Sequence, residues 1–324
     1  MTESAASAGQ AGGVAARLGA RMGAWSALLL LTLVASALSP QFLTIRNLTN
    51  IVNQSAPLAF IAIGQTFVLL VAGIDLSVGS TVSLVSVATG LWMLGRDAMI
   101  PVVLLADLGL GACVGLANGL LIAWRRLPDF IVTLGMLIFL QGVNLAWTKG
   151  GPNSDLAPHF RLLSEGRVGP FPVAVFWLAG AAVLAWGLAG RTTFGRAIYA
   201  VGGNRAAARL AGVNVNLVRV LTYVISGVCA AMAGAFLTAR VGEGQTWVGR
   251  GMELDSIAAA VMGGTSLFGG RGTIGGSVAA TFILLVLYNI LLLKGQSYQV
   301  QFVVKGLVII TSVALYTRFR AIRA

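Results

Sequence analysis

Long apolar runs, separated by short polar stretches, follow one another along almost the whole chain. A helix rises 1.5 Å per residue, so about 20 apolar residues cross the ~30 Å hydrocarbon core of a bilayer. The pattern predicts an all-α fold, a polytopic bundle of about ten transmembrane helices, some of them broken. The predicted spans are residues 22–42, 50–72, 78–95, 98–124, 129–148, 171–190, 217–240, 254–268, 273–293 and 299–316.

The chain begins with a polar tail. Residues 1–21 are rich in Ala, Gly and Ser, and we expect them to be disordered. The apolar run that follows resembles a signal peptide, but its polar lead is long and no clean small-x-small cleavage site follows it. We therefore predict that the first span is retained and that residues 22–324 form one transmembrane domain.

The composition agrees with a membrane protein. Hydrophobic residues make up 57% of the chain and charged residues 10%, whereas a soluble domain carries about 25% charged residues. So few charges cannot form a polar shell, which excludes a soluble enzyme, a disordered protein and a nucleic-acid-binding domain. The net charge of +12 therefore has another cause, and the basic residues must be sorted by side of the membrane.

The basic residues predict the orientation of the chain. With ten spans both termini lie on one side, which holds thirteen Lys and Arg residues against eight on the other, with Lys305 inside the last span. By the positive-inside rule, both termini are predicted to be cytoplasmic. The loop at residues 191–219 then faces the cytoplasm, and it carries five arginines and no acidic residue. Long loops usually carry function, so this loop is a candidate contact site for a partner.

Motifs for nucleotides and metals are weak in this sequence. A phosphate loop needs Gly-Lys-Ser/Thr, but each of the three lysines is followed by glycine. Residues 270–275 fit G-x-G-x-x-G, yet no acidic residue follows Asp255 and the flanks are predicted spans, so dinucleotide binding is rejected. The lone His159 cannot form a metal cluster. We expect no metal or cofactor on this chain, and the glycine cluster from Gly263 to Gly276 predicts a tight turn between two short spans.

Uncharged polar side chains recur inside the predicted spans. Such a lining suits a neutral polyhydroxylated solute better than an ion, although amides and hydroxyls also tie helices together. Within Gly73–Ser80, Asp75 and Ser77 interrupt an apolar run, which predicts a broken helix with Asp75 capping the next one. The candidates to line a polar path through the membrane are Gln65, Asp75, Ser77, Asn118, Thr133, Gln141, Asn144 and Asn289.

Two further features concern packing within the membrane. Gly111, Gly115 and Gly119 recur every four residues and share one helix face, which predicts close helix packing within the chain rather than at a subunit interface. Asp107 and Lys305 are the ionisable groups deepest in predicted spans. Because unpaired charges are expensive there, our hypothesis is that they pair or both face a cavity, with snorkelling of Lys305 as the alternative.

Several motifs together resemble the ribose/xylose-type permeases of ABC importers. The resemblance covers the chain from about residue 40 to the end, and the motifs stand in the family's order. It implies a membrane permease domain in the bacterial inner membrane, a second permease copy, identical or related, two ATPase domains that hold ATP and Mg²⁺, and a periplasmic sugar-binding protein. The motifs are Gly73–Ser80, Asn118-Gly119, residues 130–135, Gly202-Gly203-Asn204, residues 253–259 and residues 263–273.

ABC importer permeases of this kind contact their ATPase through a cytoplasmic coupling helix, often marked Glu-Ala-Ala-x-x-x-Gly. Residues 206–212 keep the two alanines and the glycine at that spacing, with Ala206 in place of the glutamate. Arg205 and Arg209 could make the charged contact instead. The resemblance thus assigns coupling to Gly203, Asn204, Arg205, Ala207, Ala208, Arg209 and Gly212.

The resemblance also implies alternating access, in which ATP closes the ATPases and the permeases swing between outward-open and inward-open states. The irregular backbone that this needs is expected at Asp75 and at the candidate gating glycines Gly263, Gly264, Gly270 and Gly272. Alternatives are an ABC permease for another cargo, such as branched-chain amino acids, a stand-alone secondary transporter or channel, and a membrane enzyme. A secondary transporter would need ionisable groups near the membrane midplane, and an enzyme would need a catalytic cluster.

Overall fold

The computed structural model describes residues 23–152 and 155–321, so the polar tail predicted at residues 1–21 lies outside the described residues. Apolar helices follow one another along the chain and confirm the all-α class. They are α1 (Gly23–Leu38), α2 (Ile45–Leu70), α3 (Val78–Trp92), α4 (Ile100–Ala123), α5 (Asp129–Thr148), α6 (Leu162–Glu165), α7 (Val173–Arg191), α8 (Thr193–Gly203), α9 (Arg205–Leu210), α10 (Val215–Val241), α11 (Met252–Met262), α12 (Ile274–Leu293) and α13 (Tyr298–Ala321).

The described strands form a single small hairpin before α7. β1 (Arg167–Val168) pairs antiparallel with β2 (Phe171–Pro172), with Val168 opposite Phe171. Single 3₁₀ turns precede α4 and α6, at Asp97–Met99 and Pro158–Arg161. The hairpin and these turns therefore belong to the connections between helices, not to the bundle.

Six of the described helices are long and apolar enough to cross a membrane: α2, α4, α5, α7, α10 and α12. Helices α1 and α3 and part of α13 are apolar but shorter. The chain is thus a multi-pass membrane protein. The predicted count of ten spans and the cytoplasmic termini remain predictions.

One predicted span is wrong as a full crossing. Within residues 254–268 the helix α11 ends at Met262, and Gly263 begins a series of turns that lasts until α12. Its 11 residues rise about 16 Å, roughly half of the hydrocarbon core. The predicted span included the start of this turn because Leu267 and Phe268 keep it apolar and it carries no charge before Arg271.

The centre of the bundle is formed by α2 and α10. In the most apolar window of each helix, 83% of α2 and 67% of α10 is buried, against 22% for α5 and for α7. Helix α10 packs against α4, α2 and α3, and α12 packs against α2. Helices α5 and α7 therefore lie at the periphery and expose their apolar faces.

The glycine face of α4 allows the closest of these contacts. A Cβ added at Gly111 would lie 2.7 Å from the Ala231 Cβ, and one at Gly119 would lie 2.8 Å from the Val220 Cα. A Cβ at Gly115 would meet the α10 backbone at Tyr223. The prediction that this face packs within the chain is confirmed, since α10 covers all three glycines.

Asp107 and Lys305 do not pair with each other, so the pairing part of that hypothesis is wrong. The Asp107 carboxylate accepts a 2.7 Å hydrogen bond from the Thr89 hydroxyl and is buried between α4 and α3. The Lys305 ammonium lies 2.5 Å from a carboxylate oxygen of Asp255. Lys305 thus ties α13 to α11, a pairing that sequence spacing did not indicate.

We expect Gly115→Ala to lower the free energy of unfolding by about 1–3 kcal/mol, because the added methyl overpacks the α4–α10 contact. Thermal unfolding of the protein in detergent, followed by its monodisperse fraction, measures this. Gly109→Ala is the matched control on α4, since a Cβ there meets nothing within 4 Å. Equal unfolding temperatures for the two variants would contradict the assignment.

Candidate functional site

The break between α2 and α3 is held by a buried polar network. Asp75 accepts hydrogen bonds from the Ser77 amide at 3.0 Å and the Ser77 hydroxyl at 2.6 Å. Its other carboxylate oxygen accepts from the Ser226 hydroxyl of α10 at 2.8 Å. Asn118 of α4 donates to the Ser77 hydroxyl at 2.9 Å. Residues from three parts of the chain thus meet at one carboxylate.

Gln65 of α2 completes this network. With its amide oriented to satisfy both atoms, the nitrogen donates to the Asp75 carbonyl at 3.1 Å and the oxygen accepts from the Asp75 amide at 3.3 Å. The side chains of Gln65, Asp75, Ser77 and Asn118 are all buried. In this structure the four path candidates therefore contact one another and brace the helix break.

The predicted cap of α3 takes a modified form. The helix begins at Val78 with Ser77 as its N-cap residue, and no cap hydrogen bond from the Ser77 side chain is formed. Asp75 instead binds the amide and hydroxyl of Ser77, one residue before the helix. The carboxylate fixes the entry of the chain into α3 rather than closing its first turn.

The other path candidates lie in separate places. Thr133 of α5 donates to the Ile74 carbonyl at 3.3 Å and so joins the break. Asn289 of α12 forms a reciprocal amide pair with Asn47, at 2.8 and 3.0 Å. Gln141 is half-buried on α5, and Asn144 is buried there without a side-chain partner among the described residues. The eight candidates therefore do not form one cluster.

An ion pair lies beside the break, at the end of the bundle that we call the basic end, where α2 ends and α5 and α10 begin. Arg219 donates to the Asp129 carboxylate at 2.6 Å, and the two side chains are only 10% and 18% exposed. Tyr223 donates to the same carboxylate at 3.1 Å and also lies 3.2 Å from the Ile74 carbonyl. The pair thus links α5 and α10 to the backbone of the break.

The loop at residues 191–219 folds into two short helices at the basic end. Asn204 begins α9, and its side-chain oxygen accepts from the amides of Ala206 and Ala207 at 3.0 Å. Gly212 ends this turn at a φ of +82°, a conformation that favours glycine over other residues. Ala208 is buried under the helix, whereas Leu210 is 90% exposed. The motif residues thus form a short helix that ends in a solvent-exposed leucine.

Arg205 points into the bundle. Its guanidinium donates to the carbonyls of Val71 and Ala72, at 3.0 and 3.2 Å, where α2 ends. Burial lowers the pKa of Arg205 below its ordinary value, and the nearby Arg219 acts in the same direction. Arg209 is exposed on α9. Both arginines assigned to a charged contact are exposed, but the Arg205 guanidinium is already hydrogen-bonded to the backbone that follows α2, whereas Arg209 lies on the outer side of α9.

The candidate gating glycines form the segment that covers the end of α2. The Gly270 amide donates to the Leu70 carbonyl at 2.9 Å, and the Gly272 carbonyl accepts from the Tyr199 hydroxyl of α8 at 2.9 Å. Gly263 packs against the backbone at Gly276, whereas a Cβ at Gly264 would meet open space. Gly263 and Gly272 are thus needed for close contact, and Gly264 and Gly270 have φ values of +89° and +71° that favour glycine.

Sequence reasoning did not assign several residues of this site. In the pair Gly202-Gly203 it is Gly202 that packs closely against the end of α2. A Cβ on Gly202 would clash with the Leu70 carbonyl, whereas one on Gly203 meets nothing within 4 Å. Tyr223, Ser226 and the Arg219–Asp129 pair were not assigned to a site either. Asp129 begins one predicted span and Arg219 ends the arginine-rich loop at residues 191–219. Their positions at span ends were the only sequence signal for the ion pair.

We expect Arg219→Met to lower the free energy of unfolding by about 3–5 kcal/mol, because it leaves the Asp129 carboxylate buried without its cation. The double variant Arg219→Met/Asp129→Leu should recover much of this loss, since it removes both charges. Denaturation in detergent of both single variants and the double variant measures the coupling. Additive losses would show that the pair makes no net contribution.

The chain matches a known family over most of its length. Residues 47–313 match the model of the permease component of the branched-chain amino acid transport system. The chain therefore belongs to this family of membrane permease components, which agrees with a membrane role rather than an enzymatic one.

Curated relatives cover nearly the whole chain. It is 42% identical to the ribose import permease RbsC of Escherichia coli (strain K12) over 295 residues, 89% of this chain and 90% of the relative. It is 40% identical to RbsC of Bacillus subtilis (strain 168), with 91% and 92% covered. It is 36% identical to the D-allose permease AlsC of E. coli (strain K12), with 91% of each covered. No solved structure matches the chain.

Proposed function

We propose that this chain is the membrane subunit of a bacterial ABC importer that carries a neutral sugar into the cytoplasm. The observation that carries the proposal is 42% identity to a ribose import permease over 89% of the chain. A D-allose permease is also similar over 91% of the chain. The polar side chains along α5, which include no charge between Thr133 and Thr148, suit a hydroxylated solute better than an ion.

The exposed surface of α9 supports contact with an ATPase subunit. Leu210 is 90% exposed at the end of a six-residue helix that is otherwise fixed by its Asn204 cap. Burial of this exposed apolar side chain against a partner would remove it from water, which is favourable. The adjacent Arg209 adds a positive charge to this surface. Under the predicted orientation the surface faces the cytoplasm, where ATP is available.

The contacts of Arg205 suggest how a movement of α9 would reach the membrane. Arg205 holds the last carbonyls of α2, and Gly270 holds the Leu70 carbonyl from the other side. A displacement of α9 therefore acts on the end of α2 and on the break at Asp75. We propose that this displacement switches the permease pair between outward-open and inward-open states.

An amino-acid cargo is the second candidate, because the family model carries that description. The relatives similar over 89–91% of the chain are named ribose and D-allose permeases, and one similar over 82% is named an autoinducer 2 permease. We therefore favour the sugar.

The test is ATP-driven uptake by the reconstituted complex. The permease is placed in proteoliposomes with a candidate ATPase and binding protein from the same organism, and labelled D-ribose, D-allose and L-leucine are compared. We expect uptake of at least one sugar that requires both ATP and the binding protein. Uptake of leucine alone would favour the amino-acid alternative, and uptake without ATP would refute the ABC assignment.

We expect Leu210→Asp to reduce retention of the ATPase on the purified permease by about tenfold or more, as for loss of an interface anchor. Because Leu210 is 90% exposed, the unfolding temperature of the permease should not change. Leu210→Met is the matched control and should retain the ATPase. Normal retention by Leu210→Asp would remove α9 from the coupling surface.

A further inference from the structure

The segment between α10 and α11 folds back onto the bundle at the end opposite the basic end. The Gln245 amide donates to the Ser86 hydroxyl at 3.1 Å, and the Gly249 amide donates to the Ser83 hydroxyl at 3.1 Å. The hydroxyls of Thr246 and Thr148 lie 3.0 Å apart. Helices α3 and α5 thus hold this segment in one conformation.

A small polar pocket lies on this fixed segment. Its volume is about 160 Å³, below the roughly 300–1,000 Å³ of pockets for drug-sized ligands. It is therefore suited to a ligand no larger than a single sugar ring. The pocket is lined by Gly150, Gly151, Pro152, Glu243, Gln245, Thr246 and Trp247.

The lining combines an aromatic face with hydrogen-bonding groups. Trp247 is 44% exposed, and the guanidinium of Arg250 lies 5.7 Å from the centre of its ring. The side-chain amide of Gln245 donates to the Glu243 carboxylate at 2.7 Å, so the two side chains hold each other in place. Neighbouring sugar hydroxyls can bind a carboxylate and an amide together, while the C–H face of the ring packs on an indole. This set of groups therefore fits a neutral monosaccharide.

The pocket lies at one end of a polar stripe on α5. Thr133, Gln141, Asn144 and Thr148 fall within an arc of about 80° on the helix, given 3.6 residues per turn. Asn144 lies one turn from Thr148, whose hydroxyl donates to the Asn144 carbonyl at 2.8 Å. Both amide atoms of the fully buried Asn144 side chain lack a partner among the described residues. A buried unpaired amide is costly, which points to a ligand-binding rather than a packing role.

We propose that Glu243, Gln245 and Trp247 form an outer subsite that binds a monosaccharide before it passes along the α5 stripe to Asn144. The subsite rests on the proposed function, because only an importer would receive sugar at this end from a binding protein. It adds a specific contact between the permease and the sugar ring. Trp247 provides the stacking face, and Glu243 and Gln245 bind the ring hydroxyls.

The test uses the complete transporter in proteoliposomes with D-ribose, or the sugar that the wild type carries best. Trp247→Ala should lower sugar uptake by about tenfold, the loss expected for one aromatic contact of about 1.4 kcal/mol. ATP hydrolysis stimulated by the loaded binding protein should stay within about twofold of wild type. Trp247→Phe, which keeps an aromatic face, should restore most uptake, and Glu243→Gln should weaken it. Trp124→Ala is the control for loss of an exposed tryptophan, 66% exposed at the basic end.

Each other outcome overturns the subsite in a distinct way. Unchanged uptake by Trp247→Ala and Glu243→Gln would show that sugar does not bind there. A parallel fall of uptake and stimulated ATP hydrolysis would make Trp247 a docking contact for the binding protein instead. If the wild type carries no sugar, the proposed function fails and the subsite fails with it. If the wild type carries a sugar and the variants carry it equally well, the subsite fails but the proposed function stands.

Discussion

The structure depends on how the backbone between α2 and α3 is satisfied inside the bundle. Buried backbone outside a helix loses its water partners, so it is stable only where protein groups bind it. Here side chains of α2, α5, α9 and α10, with one glycine amide, supply these partners. The groups that bind residues 70–75 belong to Gln65, Thr133, Arg205, Tyr223 and Gly270. The break is therefore stabilised by the whole bundle rather than by its local sequence.

This arrangement connects the surface of the protein to its centre. The arginine that holds the end of α2 is the first residue of α9, next to the cap that fixes this helix. Through Tyr199, the same loop also binds the glycine segment before α12. A partner that moves α9 would therefore change the backbone partners of the break directly, without a long chain of intermediate side chains. Such a short path is what a mechanically driven permease requires.

Local features were predictable from the sequence, and long-range pairs were not. Hydropathy located the helices, the i, i+4 glycines of α4 indicated a close contact, and Asp75 indicated the break. The partners of Asp129 and Lys305 lie 90 and 50 residues away in the chain, so no spacing rule indicates them. Hydropathy also placed a full span over α11, because the turn that follows carries Leu267 and Phe268 and no charge before Arg271. Five of the path candidates meet at the break and three lie elsewhere, since amides that join helices resemble amides that line a path.

The use of the few charges argues for an external source of energy. A carrier driven by protons or ions needs a carboxylate that binds and releases its ion during each cycle. Asp129 and Asp255 are each neutralised by a cationic side chain, Asp75 accepts three hydrogen bonds at the break, and Asp107 joins α4 to α3 through Thr89. Releasing any of these would loosen a helix contact rather than move an ion. A movement of α9, by contrast, would act directly on the hydrogen bonds between Arg205 and the backbone after α2. This favours a permease driven by a separate ATPase.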